Sequence, residues 1–134
     1  MEKEAKLPAL DDAIEAFNRG DYFAAAELFE NAGRGADAEA QAIAAALGRV
    51  AAALHVRFEQ GGRQGTINLL SQAMIALDDM RPARGGIDVE RLYAEISAYT
   101  DEVRAAPRGE REGMKHRARM FLERRRAPKI ARRG

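Results

Sequence analysis

The chain contains no cysteine and no tryptophan, and it has only two histidines, His55 and His116. Without cysteine it can form no disulfide, no thiol nucleophile, no Cys-ligated zinc site and no iron–sulfur cluster. Two histidines are also too few for a histidine-rich metal site. The sequence therefore predicts neither a metal site nor another cofactor, and the lack of disulfides favours a cytoplasmic location.

Long hydrophobic runs are missing as well. No stretch approaches the roughly 20 apolar residues that a membrane-spanning helix needs. The first six residues, MEKEAK, alternate in charge and lack the apolar core of a secretory signal. We therefore expect a cytoplasmic protein without a membrane span.

Residues that favour β-strands or interrupt helices are scarce. Of the 134 residues, 28 are alanine, whereas only four are valine and four are proline. Alanine is the strongest helix former, and β-branched residues are enriched in strands. The composition therefore predicts an all-α protein.

Acidic and basic residues are unevenly distributed along the chain. Residues 1–106 contain 11 basic and 18 acidic side chains, whereas residues 107–134 contain 11 basic and 3 acidic ones. Pro107, Gly109 and Gly113 lie where the composition changes. We therefore predict a helical bundle domain over residues 1–106 and a basic, arginine-rich tail over residues 107–134, either helical or disordered.

Apolar spacing and helix-capping residues divide the first part of the chain into helices. Asp21, Asp37 and Asp88 each precede an apolar pattern with helical period and are predicted N-caps. Gly61-Gly62 is predicted to end the longest helix, whose second side is almost entirely alanine. These signals predict a compact bundle of about five helices, over residues 10–19, 22–31, 38–60, 64–80 and 89–105.

One segment resembles a known family. Residues 17–30 read FNRGDYFAAAELFE, and they are followed by VAAALH at residues 50–55 and GRQGTINLL at residues 62–70. This series resembles domain-of-unknown-function family 309, a family of small bacterial all-helical proteins with an FNxGxYxxAHExxE-like motif. The resemblance implies a divergent member, because Ala26 stands at the position of the family's motif histidine. It implies a fold but no reaction, since the family has no settled activity to transfer.

Glu27, Glu30 and His55 form a candidate polar site. Phe23, Glu27 and Glu30 are spaced i, i+4 and i+7, so both carboxylates share one helix face with an aromatic ring. Two such carboxylates can bind a hard cation or act as an acid and base pair, with His55 as a third member. Alternatively, they are structural and pair with arginines, while His55 lies at the flank of the apolar stripe.

Two arginines complete the predicted set. Arg49 lies on the alanine-rich side of the long helix, where a packed neighbour would bury its guanidinium, so we expect it to pair with Glu27 or Glu30. Arg63 lies in the glycine-rich stretch of residues 61–65. That stretch follows no predicted strand and lacks a Gly-Lys-Ser or Gly-Lys-Thr sequence, so we interpret it as a turn and not as a phosphate loop.

The basic tail offers a second kind of site. If residues 108–133 form an amphipathic helix, Arg117 and the cluster Arg124-Arg125-Arg126 can contact phosphates of nucleic acid or of anionic lipid. Phe121 is the only aromatic residue of this segment, which argues against recognition of single-stranded bases. The alternative is that the tail docks on the acidic body or is disordered.

These observations favour a non-catalytic, cytoplasmic helical protein that binds a protein partner or a small ligand and that could form a homo-oligomer. A hydrolase or metal-dependent enzyme using Glu27, Glu30 and His55 is one alternative, and we lean against it because Ala26 replaces the motif histidine. A protein that contacts nucleic acid nonspecifically through the tail is the other.

Overall fold

The computed structural model describes residues 8–107 and 114–133, and its secondary structure within these ranges is helical. The all-α prediction is confirmed, and apart from two isolated backbone bridges the described ranges contain no strand pairing. The described ranges contain six helices, one more than the five predicted within residues 1–106, because residues 114–125 of the basic segment are also helical. The helices are α1 Pro8–Asn18, α2 Tyr22–Gly33, α3 Ala38–Gln60, α4 Gln64–Asp78, α5 Val89–Ala105 and α6 Met114–Arg125.

The predicted helix caps are confirmed. The carboxylates of Asp21, Asp37 and Asp88 each accept a hydrogen bond from the backbone N–H three residues later, at 3.4, 2.8 and 3.0 Å. Each bond satisfies one of the N–H groups that a helix start leaves without an intrahelical partner. At the other end of α3, Gly61 adopts the left-handed conformation with φ of 71°, which glycine tolerates best.

Consecutive helices pack against one another, from α1 on α2 through to α4 on α5. Helix α3 lies between α2 and α4, and its residues Leu47, Val50 and Leu54 are fully buried. Four of its alanines are also buried, which allows the neighbouring helices to approach closely from two sides. The alanine-rich helix α3 therefore occupies a central position among the described helices.

The C-terminal residues return to the body. Ile130 is part of the buried core. The Asn18 side chain donates to the Ile130 carbonyl at 2.9 Å and accepts from the Ile130 N–H at 2.8 Å. Further along, the Arg133 N–H donates to the Gly86 carbonyl at 2.8 Å. The described part of the basic segment is thus docked on the body, while its predicted helical start at residues 108–113 lies outside the described residues.

Candidate functional site

A buried polar cluster joins three helices near the C-terminal end of α3. Glu123 of α6 accepts from Arg57 of α3 through both carboxylate oxygens, from Nε at 2.6 Å and from Nη2 at 2.9 Å. The hydroxyl of Tyr99 in α5 donates to the same carboxylate at 2.7 Å. A third guanidinium nitrogen of Arg57 donates to the Gly62 carbonyl at 3.0 Å. A bidentate pair of this kind is strong and has a defined geometry.

The electrostatics of the cluster follow from burial and charge. The hydrogen bond to Glu123 holds the pKa of Arg57 above its ordinary value, against the opposing effect of burial. Burial raises the pKa of the Tyr99 hydroxyl, and the neighbouring Glu123 carboxylate raises it further. The cluster is therefore a guanidinium, a carboxylate and a neutral phenol, in which each polar group has a partner. Such a closed network holds α6 in place and has no exposed side from which a substrate could approach.

The sequence contains signals for this cluster, although the pairing of Arg57 with Glu123 is not among the predictions above. Arg57 follows Val50 by seven residues and Leu54 by three, so helical geometry places it on the buried face of α3. Glu123 is the only acidic residue among those of α6, in which basic residues predominate. A cation on an apolar stripe and a lone anion in a basic helix together predict a buried pair.

An open groove of about 590 Å³ runs along α2 and α3. Its floor consists mostly of small residues, which bring the two helices close together. A β-carbon at Gly48 would lie 3.3 Å from that of Phe29, and one at Gly33 would lie 3.4 Å from that of Ala44. The small floor residues are Ala26, Gly33, Ala44, Ala45, Gly48 and Ala52.

Charged side chains line the rim of this groove. Glu30 pairs with Arg34 at 3.6 Å on the exposed surface. Arg49 is exposed and forms no ion pair with either Glu27 or Glu30, so the expected pairing is wrong. The physical reason is that none of the helices that the structure describes covers this part of the alanine-rich face, and a solvated guanidinium needs no carboxylate.

The other members of the predicted polar site lie apart from the groove lining. Glu27 is exposed, and His55 is half-buried with its ring 5.4 Å from that of Phe23. In the described ranges, no group of three or more histidine, aspartate or glutamate side chains is arranged so that it could hold a metal ion.

Arg63 caps a helix end. Its guanidinium donates to the carbonyls of Val103 at 2.6 Å and Ala106 at 3.0 Å, and also to that of Arg104. These carbonyls belong to the last turn of α5 and to Ala106, the residue that follows it, where the helix dipole is negative and carbonyls of the helix end lack intrahelical partners. Arg63 therefore fixes the end of α5 against the start of α4.

The predicted contact residues of the tail divide into two groups. Arg124 donates to the Gly20 carbonyl at 3.0 Å, and its guanidinium lies 5.0 Å from the centre of the Phe58 ring. Arg126 pairs with Glu102 at 2.7 Å. By contrast, Arg117 is exposed, and Arg125 is exposed with its guanidinium 5.8 Å from the ring centre of Phe121. Only part of the basic cluster is directed away from the body.

Comparison with known proteins gives no family. No family model matches the chain, and no curated protein and no solved structure matches it significantly. The resemblance to domain-of-unknown-function family 309 therefore stays a prediction. Among the described residues, no helix combines the length and the apolar character needed to cross a membrane.

Proposed function

We propose that this protein is a non-catalytic, cytoplasmic binding module, a helical bundle with a basic C-terminal extension, that takes up a polypeptide segment in the groove along α2 and α3. The observation that carries the proposal is an open groove with a floor of mostly small residues beside Arg49, which is exposed and has no acidic partner among the described residues. A floor made mostly of small side chains lets a second backbone approach closely.

The charges of the rim favour an acidic segment. Glu30 is paired with Arg34, whereas Arg49 has no acidic partner among the described residues. A carboxylate of the bound segment would accept a charge-assisted hydrogen bond from this guanidinium. Glu27 and His55 do not line the groove, so its chemistry supports binding better than hydrolysis.

A display library of random 12-residue peptides tests the proposal directly. Peptides that the full chain enriches are synthesised with a fluorophore, and their affinities are measured by anisotropy. We expect enrichment of aspartate and glutamate. Arg49→Glu should weaken binding at least about tenfold, because it places a like charge opposite the ligand. Ala45→Trp should abolish binding by filling the groove.

Two matched variants control for changes unrelated to the groove. Arg19→Glu makes the same charge change at another exposed position, and Ala98→Trp adds the same bulk on the exposed side of α5. Both should bind the peptides as the parent chain does. The proposal is overturned if no peptide is enriched, or if the enriched peptides bind equally well to Ala45→Trp. Sedimentation of the free chain, run in parallel, shows whether a second copy of the protein is the occupant instead.

A further inference from the structure

Helix α6 turns an apolar face away from the body. Met114, Phe121 and Leu122 are 81, 61 and 48% exposed, and together they account for three of the five large hydrophobic side chains that are exposed in the described residues. At about 100° per residue, Met114 and Phe121 lie about 20° apart, whereas Glu123 lies roughly opposite Met114. The buried carboxylate thus faces inward and the apolar side chains face solvent.

Basic side chains accompany this apolar face. Arg125 lies about 20° from Met114 around the helix, and Arg117 about 60°. The Arg125 guanidinium also lies over the exposed Phe121 ring. We call these five side chains, Met114, Arg117, Phe121, Leu122 and Arg125, the outer face of α6.

The docking of α6 fixes this orientation. Burial of the outer face would require the helix to rotate, and rotation would break the bidentate pair between Arg57 and Glu123. Arg124 at the edge of the helix is also tied to the body through the Gly20 carbonyl. The outer face is therefore presented to solvent by the fold itself.

We propose that the outer face of α6 binds the surface of an anionic lipid bilayer, with the helix parallel to the membrane plane. An interfacial helix needs apolar side chains that enter the headgroup region and cations that meet the negative lipid charge, and this face supplies both. This surface is separate from the groove along α2 and α3.

A nucleic acid would use less of this surface. Phosphate contacts need cations, but they gain nothing from an exposed methionine and leucine. Stacking on single-stranded bases would have only one aromatic ring, Phe121, and a guanidinium already lies near its face. Lipid is the partner for which the apolar and the basic side chains both contribute.

Flotation of the full chain with vesicles tests the proposal. Vesicles of phosphatidylcholine are compared with vesicles that also contain phosphatidylserine, at low and at high salt. We expect at least about tenfold stronger partition onto the anionic vesicles, and weaker partition at high salt. The double variant Phe121→Ser with Leu122→Ser should lose the stronger partition onto anionic vesicles. The double variant Arg117→Glu with Arg125→Glu should lose it as well. All four positions are exposed, so the fold should tolerate both changes.

Matched variants at other exposed positions show whether the loss of partition is specific to the outer face of α6. Ile75 is 74% exposed on α4, and Ile75→Ser removes a similar apolar side chain there. Arg19→Glu reverses an exposed charge on the loop after α1. Both should partition as the parent chain does. Because the chain has no tryptophan, Phe121→Trp also introduces a single fluorophore, whose emission should shift to shorter wavelength on anionic vesicles, whereas that of Ile75→Trp should not.

Several results would overturn the proposal. One is an equal partition onto neutral and anionic vesicles, or onto neither. Another is partition that needs Arg117 and Arg125 but is unaffected by loss of Phe121 and Leu122, since that describes nonspecific charge attraction. Duplex DNA and single-stranded RNA are tested in the same buffers, and tighter binding to either than to the anionic vesicles identifies nucleic acid as the partner and also overturns it.

Discussion

Arg57 and Glu123 are 66 positions apart in the sequence, yet they form a bidentate ion pair in which only 8 and 1% of the two side chains are exposed. The pair joins the central helix α3 to α6, the helix of the basic segment. Two buried charges are tolerable only when they compensate one another, so the position of α6 depends on this contact.

Loss of the buried carboxylate should destabilise the protein strongly. Glu123→Ala leaves the guanidinium of Arg57 buried without its anion, and breaking a buried pair from one side costs about 3 to 5 kcal/mol in the free energy of unfolding. Urea denaturation followed by circular dichroism measures this loss. The double variant Arg57→Met with Glu123→Leu removes both charges and should recover most of the stability. Equal losses of unfolding free energy in the single and double variants would contradict the interpretation that the unpaired buried charge causes the destabilisation.

The Tyr99 hydroxyl should make stability fall at alkaline pH. Burial and the adjacent carboxylate raise the pKa of Tyr99 in the folded state above its ordinary value of about 10. Below pH 10 the phenol is protonated in both states, so its contribution is complete. Above pH 10 the unfolded state releases the proton while the folded state retains it, and the free energy of unfolding decreases.

Tyr99→Phe tests this dependence. At neutral pH it should cost about 1 to 2 kcal/mol, because one hydrogen bond to Glu123 is lost. Its decline in stability above pH 10 should be shallower than that of the parent chain, although Tyr22, whose pKa is also raised by burial, retains part of it. Urea denaturation at a series of pH values provides the comparison. Parallel curves for the two proteins would show that Tyr99 titrates normally.

The contact between Asn18 and the C-terminal backbone should depend on both ends of the amide group. The side chain donates to the Ile130 carbonyl and accepts from the Ile130 N–H. Asn18→Asp retains the shape and the acceptor but removes the donor, so a carboxylate oxygen then faces a carbonyl oxygen. We expect a loss of about 1 to 3 kcal/mol and faster hydrogen exchange at Ile130. Unchanged exchange at that amide would mean that the segment is held elsewhere.

The guanidinium of Arg63 should stabilise the end of α5. Arg63→Ala removes the donors to the last-turn carbonyls, and we expect a cost of about 1 to 2 kcal/mol together with fraying of that turn. Arg63→Lys should recover only part of the loss, because an ammonium lacks the planar fork of donors. Hydrogen exchange of residues 103–106 reports the fraying. Full recovery with lysine would indicate that charge alone is responsible.

Local signals were sufficient to predict much of the helical fold. The caps at Asp21, Asp37 and Asp88 and the stop at Gly61 depend on neighbouring residues and on conformations that few residue types adopt. The apolar stripes of α3, α4 and α5 likewise follow from helical period and are buried. These features can be predicted from the sequence because each depends on residues within a few turns of the same segment.

The contacts between distant segments could not be predicted in this way. The expectation that Arg49 pairs with Glu27 or Glu30 assumed a helix packed on its side of α3, and that side is an open groove. The role of Arg63 depends on the end of α5, about 40 residues later. In the sequence, Glu123 is one of three acidic residues in a basic tail, and only the packing of α6 shows that it is the partner of Arg57.

Glu123 and Ile130 lie late in the sequence, and this position affects how the chain folds during its synthesis. A ribosome that has released the chain only as far as α5 has already produced Arg57 and Tyr99, but not the carboxylate that they both contact. At an elongation rate of about 5 to 20 residues per second, the nascent bundle contains Arg57 without its anion until α6 has been translated and has left the ribosome. Completion of the buried polar cluster is therefore delayed until after the other described helices have been made.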